Sequence, residues 1–214
     1  MKTRFICLAN SFKLNGRCVA GIELQANTDT PQVSKGRPKW IRPICTTQHG
    51  EVPTKLVEAL KLLDIIEIQD VAYSPDRHQT ENASFKENSI RRIEKFDIKG
   101  LPALCDSTEP YLFGNKGAAV IDTDIDGLTY SLMLVSTTEF EVYQKTNSYG
   151  KVKHRLKFVY NAHTYDLVIT DPVFLGDEKK NIEKISKKKE IFVTISLALP
   201  LNTWHHKLIA GIIW

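Results

Sequence analysis

The sequence contains no Cys-x-x-Cys pair, no apolar stretch of membrane-spanning length, and none of the short fingerprints that mark nucleotide hydrolysis, acyl transfer or dinucleotide binding. Only four of its 214 residues are cysteine: Cys7, Cys18, Cys45 and Cys105. Each lies in or beside an apolar segment, as buried free thiols do, which argues for a reducing compartment and against a disulfide framework. A zinc site gathered in space from scattered Cys and His stays open at this stage. The longest apolar run, Ile191 to Leu201, is broken by Thr194, Ser196 and Pro200 and falls short of the roughly 20 residues that a spanning helix needs. At the start, Met1 to Asn10 sets basic residues before apolar ones, but the run is too short for a signal peptide and reads as a strand. These absences predict a soluble, cytoplasmic protein with no membrane association and no cofactor.

Catalytic motifs are missing too. There is no Gly-x-x-x-x-Gly-Lys-Ser/Thr loop, no Gly-x-Ser-x-Gly elbow, no His-Glu-x-x-His pair and no Rossmann glycine pattern, so no catalytic residue is predicted. The enzyme alternative left standing is a metal-dependent nuclease, whose carboxylates and lysine can meet only through the fold. Asp122-Thr123-Asp124-Ile125-Asp126-Gly127 copies the first six positions of an EF-hand loop. The twelfth position is Met133 where a bidentate glutamate is required, so the segment reads as an Asp- and Gly-rich turn.

What is present describes a globular chain. Apolar residues make up 42% and charged residues 25%, enough for a core of its own. The formal net charge is only +4, yet eleven Lys and Arg face seven Asp and Glu between Phe140 and Glu190, so one segment holds the whole excess. That length suits either one large domain or two of about 100 residues.

Period-two alternation recurs at short intervals and predicts strands at Thr3 to Ala9, Arg17 to Leu24, Lys39 to Cys45 and Asp64 to Val71. Turn chemistry stands at Asn15-Gly16 and Lys35-Gly36-Arg37-Pro38. A helix is expected over Thr54 to Leu63, with Pro53 near its start, and a second over Ser84 to Phe96. The second half predicts strands at Thr129 to Val135, Glu139 to Lys145, Lys151 to Tyr160, Thr164 to Thr170, Ile191 to Leu199 and Lys207 to Ile213. Thr146 to Gly150 and Asn161 to His163 are short enough for hairpin turns. The pattern predicts a mainly β fold with minor α, as two small β-barrels. They would span 1–98 and 128–214, joined by a Gly- and Pro-rich connector at 99–127, with a Lys-rich insertion at 174–190 expected as a solvated loop or frayed helix.

Several phrases, in a fixed order, carry a family resemblance. In the first half they are Cys7-Leu8-Ala9-Asn10-Ser11, Asn15 to Gly21, Trp40-Ile41-Arg42-Pro43-Ile44, Leu63 to Ile68 and His78-Gln79-Thr80-Glu81-Asn82. Leu104-Cys105-Asp106, Phe113-Gly114-Asn115, Val168-Ile169-Thr170-Asp171-Pro172 and Lys207-Leu208-Ile209-Ala210-Gly211 follow. The chain resembles the dual OB-containing domain proteins of prokaryotes. The resemblance implies two OB-like barrels in tandem and a nucleic-acid-binding or sensing role, often in antiviral defence. Ala83 departs from it, since an aromatic is more usual after the His-Gln-x-Glu-Asn run.

The sharpest candidate interface is Lys151 to Tyr160. Alternation puts Lys151, Lys153, Arg155 and Lys157 on one face and Val152, His154, Leu156, Phe158 and Tyr160 on the other. Like-facing residues lie about 6.6 Å apart, near the phosphate spacing of an extended single strand, so this stripe can track a sugar-phosphate backbone. The plainer alternative is a wet strand face kept soluble by its lysines. Trp40 with Arg42 offers a stacking surface beside a cation, and His78, Gln79 and Asn82 can hydrogen-bond base edges or satisfy a local turn. The expected function is non-catalytic binding of single-stranded DNA or RNA. The alternative partner is a protein from the same locus, with this chain as adaptor or subunit.

Overall fold

The computed structural model describes residues 2–34, 36–146 and 150–214. The chain divides into two compact units, Met1–Leu104 and Cys105–Trp214. Two expected turns fall partly outside the described residues: that at Lys35 to Pro38, by Lys35, and that at Thr146 to Gly150, by residues 147–149.

In the first unit the strands are β1 (Lys2–Lys13), β2 (Gly16–Glu23), β3 (Val33–Ser34), β4 (Arg37–Pro38), β5 (Trp40–Ile44), β6 (Asp64–Gln69), β7 (Ala72–Tyr73), β8 (Asn82–Ser84) and β9 (Arg91–Lys95). Seven of them form one sheet in the order β7-β8-β5-β2-β1-β6-β9, and β3 pairs with β4. The β1–β2 turn is Leu14-Asn15, one residue before the expected Asn15-Gly16, with Leu14 at a positive φ of 47° and Gly16 already opening β2 opposite Lys13. Gly21 is required further along, because a Cβ there would stand 1.8 Å from the Ile6 carbonyl oxygen. Phe5, Cys7, Val19, Ile41, Ile66 and Ile68 meet in the core of this unit.

Two helical expectations are corrected here. The helix predicted over Thr54 to Leu63 is the single turn α1 (Thr54–Val57), and Leu63 already has a positive φ of 71°. Ser84 to Phe96 is not helical: a 3-10 turn at Glu87–Ser89 leads into the edge strand β9. The reason is non-local. β6 carries two buried carboxylates, and antiparallel β9 brings Arg92 to Asp64 at 2.9 Å and Arg91 to Glu67 at 2.7 Å, adding to the Lys61 N–H on Asp64 and Lys2 on Glu67.

The second unit begins with 3-10 turns at Leu112–Gly114 and Asp122–Gly127 flanking β10 (Ala119–Ile121). Residues 105–127 therefore belong to this unit and carry ordered elements. Its further strands are β11 (Leu132–Thr137), β12 (Phe140–Thr146), β13 (Val152–Tyr160), β14 (His163–Ile169), β15 (Ile191–Leu197) and β16 (Trp204–Ile213). The order is β11-β15-β16-β14-β13-β12, with β10 on β16. β13 and β14 join through Asn161 and Ala162, both at positive φ (47° and 58°), the geometry of a tight hairpin turn. Both sheet orders end on edge strands, so among the described residues backbone pairing does not itself close either sheet into a barrel.

The Lys-rich insertion forms two helices, α2 (Pro172–Gly176) and α3 (Glu178–Ser186). One Asp171 oxygen accepts from Val173 N and Phe174 N, capping α2 where Pro172 tolerates the missing N–H, and the other accepts from Ile212 N. The Asn181 amide donates to the Val173 and Phe174 carbonyls, and Ile185 enters the core. Asn181, Ile185 and the partly buried Ile182 seat a helix whose remaining surface is mostly charged. No helix among the described residues is long and apolar enough to cross a membrane.

Candidate functional site

β13 has the two faces its alternation requires. Leu156, Phe158 and Tyr160 are buried in the core of the second unit, while Lys153, Arg155 and Lys157 lie on the opposite, outer face. Lys151 precedes the strand and is exposed. His154 is on the inner side, half-buried, against Gln144 of β12 and Glu178 of α3. It is a packed, hydrogen-bonded residue, as its register implies.

Cross-strand register decides how much of the basic stripe is electrically open. Residues directly opposite in a sheet share a face, so Glu141, Tyr143 and Lys145 of β12 stand beside Lys157, Arg155 and Lys153 in turn. On the other side Asp166 of β14 is opposite Lys157. Arg155 Nε donates to Asp166 Oδ1 at 2.8 Å and its Nη2 to the Asp166 carbonyl at 2.7 Å, while the Tyr143 hydroxyl donates to Asp166 Oδ2 at 2.5 Å. Partial burial pushes the Asp166 carboxyl up, but the Tyr143 hydroxyl and the Arg155 guanidinium outweigh it and hold the group below its ordinary range. The same hydrogen bond raises the Tyr143 hydroxyl. Two carboxylates, Asp166 and Glu141, thus offset the Arg155 and Lys157 half of the stripe. Positive character is densest where Lys145 and Lys153 oppose each other.

Lys145 was missed by reading β13 alone. Its position beside the stripe follows from the β12–β13 register.

The other five candidate contacts are buried in the first unit. Trp40 is 8% exposed, Arg42 2%, His78 2%, Gln79 5% and Asn82 5%, so their side chains do not present a surface to a nucleic acid. The Arg42 guanidinium pairs with Glu81 at 3.0 Å and donates to the Asn82 side-chain Oδ1 at 3.5 Å, and Asn82 Nδ2 in turn donates to Gln79 Oε1 at 3.3 Å. This network ties β8 in parallel register to β5. Ala83 is fully buried beside it, so the residue at that point packs against the core. The polarity of the His-Gln-Thr-Glu-Asn phrase is real, but the groups it satisfies are internal.

Exposed aromatics in the first unit lie elsewhere. Phe12 has the Arg17 guanidinium 4.5 Å from its ring centre, and Tyr73 has the Lys39 ammonium at 4.6 Å. No signal in single-residue periodicity singles them out, since the partner of Tyr73 comes from a distant segment.

Metal chemistry finds no support in the donor arrangement. Among the described residues no group of three or more His, Cys, Asp or Glu could hold a metal ion. In the Asp-rich turn, Asp122 is 2.9 Å from His205 Nε2. All four cysteines are free thiols, and burial pushes Cys45 and Cys105 up to about 12, far from reactive thiolates.

Among solved structures, the chain is similar to a murine DNA-binding protein bound with double-stranded DNA, at 4% identity and a TM-score of 0.37, covering 100% of this chain and 97% of that one. It is also similar to the tetrameric p202 HIN2, at 9% identity and a TM-score of 0.32, over 99% of this chain and 91% of that one. Likenesses this distant carry no argument about function. No curated protein matches the sequence. The dual OB-containing domain family, by contrast, matches residues 3–212, almost the whole of both units, and the chain belongs to that family.

Proposed function

We propose that this protein binds single-stranded DNA or RNA, without chemically altering it, through the outer face of β13. The observation that carries the reading is the row of Lys153, Arg155 and Lys157 on one strand face, with Lys151 ahead of it and Lys145 alongside. Cations repeating every second residue suit a phosphate backbone laid along the strand. Membership of a dual OB family favours the same class of ligand, because OB sheets present a face and its loops to oligonucleotides. In the defence-linked setting that the family resemblance implies, such binding would serve sensing. The absence of a catalytic motif in the sequence agrees with a binding role.

Fluorescence anisotropy with labelled single-stranded DNA and RNA at several salt concentrations tests this. Five independent phosphate contacts, Lys145 included, would give a slope of log affinity against log salt of about 3.5, but Asp166 and Glu141 offset two of the cations. The expected slope is therefore about 2.1, the value for three net contacts at about 0.7 each. K153Q/K157Q should remove most of it while leaving thermal unfolding unchanged. Absence of binding at low salt, or a slope indifferent to the double substitution, would sink the proposal, and cleavage of either oligomer with magnesium present would favour the nuclease reading.

A further inference from the structure

We propose that β12 is a self-association edge, at which two copies of this chain pair antiparallel about Tyr143 and join their second-unit sheets. β12 ends the strand order, with β13 its neighbour in the sheet. Val159 N donates to Glu139 O at 3.0 Å, and Phe140 stands opposite Phe158. In an antiparallel pair such bonds recur at every second residue. Glu141, Tyr143 and Lys145 therefore exchange backbone bonds with β13, while the N–H and C=O groups of Phe140, Val142, Gln144 and Thr146 point away from the sheet.

Two identical strands crossing at Tyr143 would set Phe140 opposite Thr146 and Val142 opposite Gln144. Outward-pointing groups then meet outward-pointing groups along the whole strand. A shift of one residue would oppose outward to inward groups and lose the ladder. Among the registers that keep the match, only the one about Tyr143 sets Glu141 of each copy opposite Lys145 of the other.

Charge makes that register favourable. Within one chain Lys145 is directly opposite Lys153, a like-charged pair that costs stability. Glu141 of a second copy would come to Lys145 and offset that repulsion. The Glu141 and Lys145 positions would be non-hydrogen-bonded pairs, where side chains approach most closely. The Tyr143 hydroxyl leans away across β13 to Asp166, which leaves the two-fold axis uncrowded. Edge strands are commonly guarded against pairing by proline or by charge of one sign. β12 contains no proline, and its two opposite charges are spaced to complement themselves.

Self-pairing shares Lys145 with the nucleic-acid reading but is tested without any ligand. Sedimentation velocity at low salt, from about 10 μM to about 1 mM, should show a monomer–dimer equilibrium. Each of E141K and K145E should weaken it at least about tenfold, since each places like charges opposite one another twice per dimer. The exchange variant E141K/K145E should recover dimerisation. An equimolar mixture of the two single variants should form heterodimers, which also demonstrates that both variants are folded. Wild-type protein that stays monomeric throughout the range overturns the proposal. So does a dimer that neither single variant weakens, or a weakening that neither the exchange variant nor the mixture reverses.

Discussion

Lys207 Nζ donates to both oxygens of Asn115, the backbone carbonyl at 2.9 Å and the side-chain oxygen at 2.8 Å. The ammonium lies 5.2 Å from the centre of the Tyr165 ring, and the Tyr165 hydroxyl donates to the same Asn115 carbonyl at 3.1 Å while accepting from Leu112 N. The knot fastens the segment after the Leu112–Gly114 turn to β14 and β16. It joins two of the phrases that carry the family resemblance, Phe113-Gly114-Asn115 and Lys207 to Gly211.

Burial pushes Lys207 down to about 7, against 10.5 for an exposed lysine. Between those values the unfolded chain binds a proton that the folded chain largely does not, so stability rises with pH across the window and falls as pH drops back toward 7. Urea unfolding should show a gain of about 2 kcal/mol from pH 7 to pH 9 from this group. K207M should flatten that dependence, because it keeps the stem in place and removes the titration.

The buried Arg42–Glu81 pair is expected to behave as a structural tie in the first unit. Glu81→Ala leaves a guanidinium inside the fold with its carboxylate gone, and should cost about 3 to 5 kcal/mol in urea unfolding. The salt slope of nucleic-acid binding should not change in any preparation that remains folded. A loss of binding at full stability would return the His78 to Asn82 segment to the interface.

Asp166→Asn gives the opposite signature. Removing that charge leaves one more cation of the Arg155 and Lys157 pair uncompensated, so affinity for a single strand should increase and the salt slope should steepen by about 0.7. Anisotropy under the conditions used for the wild type measures both. Weaker binding in this variant would mean that the Asp166 bridge holds Arg155 in the orientation that contacts the ligand.

Local pattern made the longer strands of the second unit legible, but not the three-residue β10, which falls within the segment expected as connector. Leu156, Phe158 and Tyr160 alternate with Lys153, Arg155 and Lys157 because a pleated strand with one wet face requires it, and no distant residue can alter that period. The Asn161-Ala162 turn was legible for the same reason, since few residues separate two patterned runs. The family phrases were readable as a set, though not what each one does.

Tertiary structure decided everything that depends on which strands become neighbours. Arg91 and Arg92 form strand β9 rather than a helix because β6 sets Glu67 opposite Arg91 and Asp64 within diagonal reach of Arg92. Arg42 and Asn82 are internal because β8 runs parallel to β5. Lys145 joins Lys153 while Asp166 restrains Arg155, and both follow from cross-strand register. The face a residue occupies is a property of its own strand, set by backbone geometry every two residues. Its partners, and with them its charge state and its availability to a ligand, are set by the strands beside it, which sequence proximity does not specify.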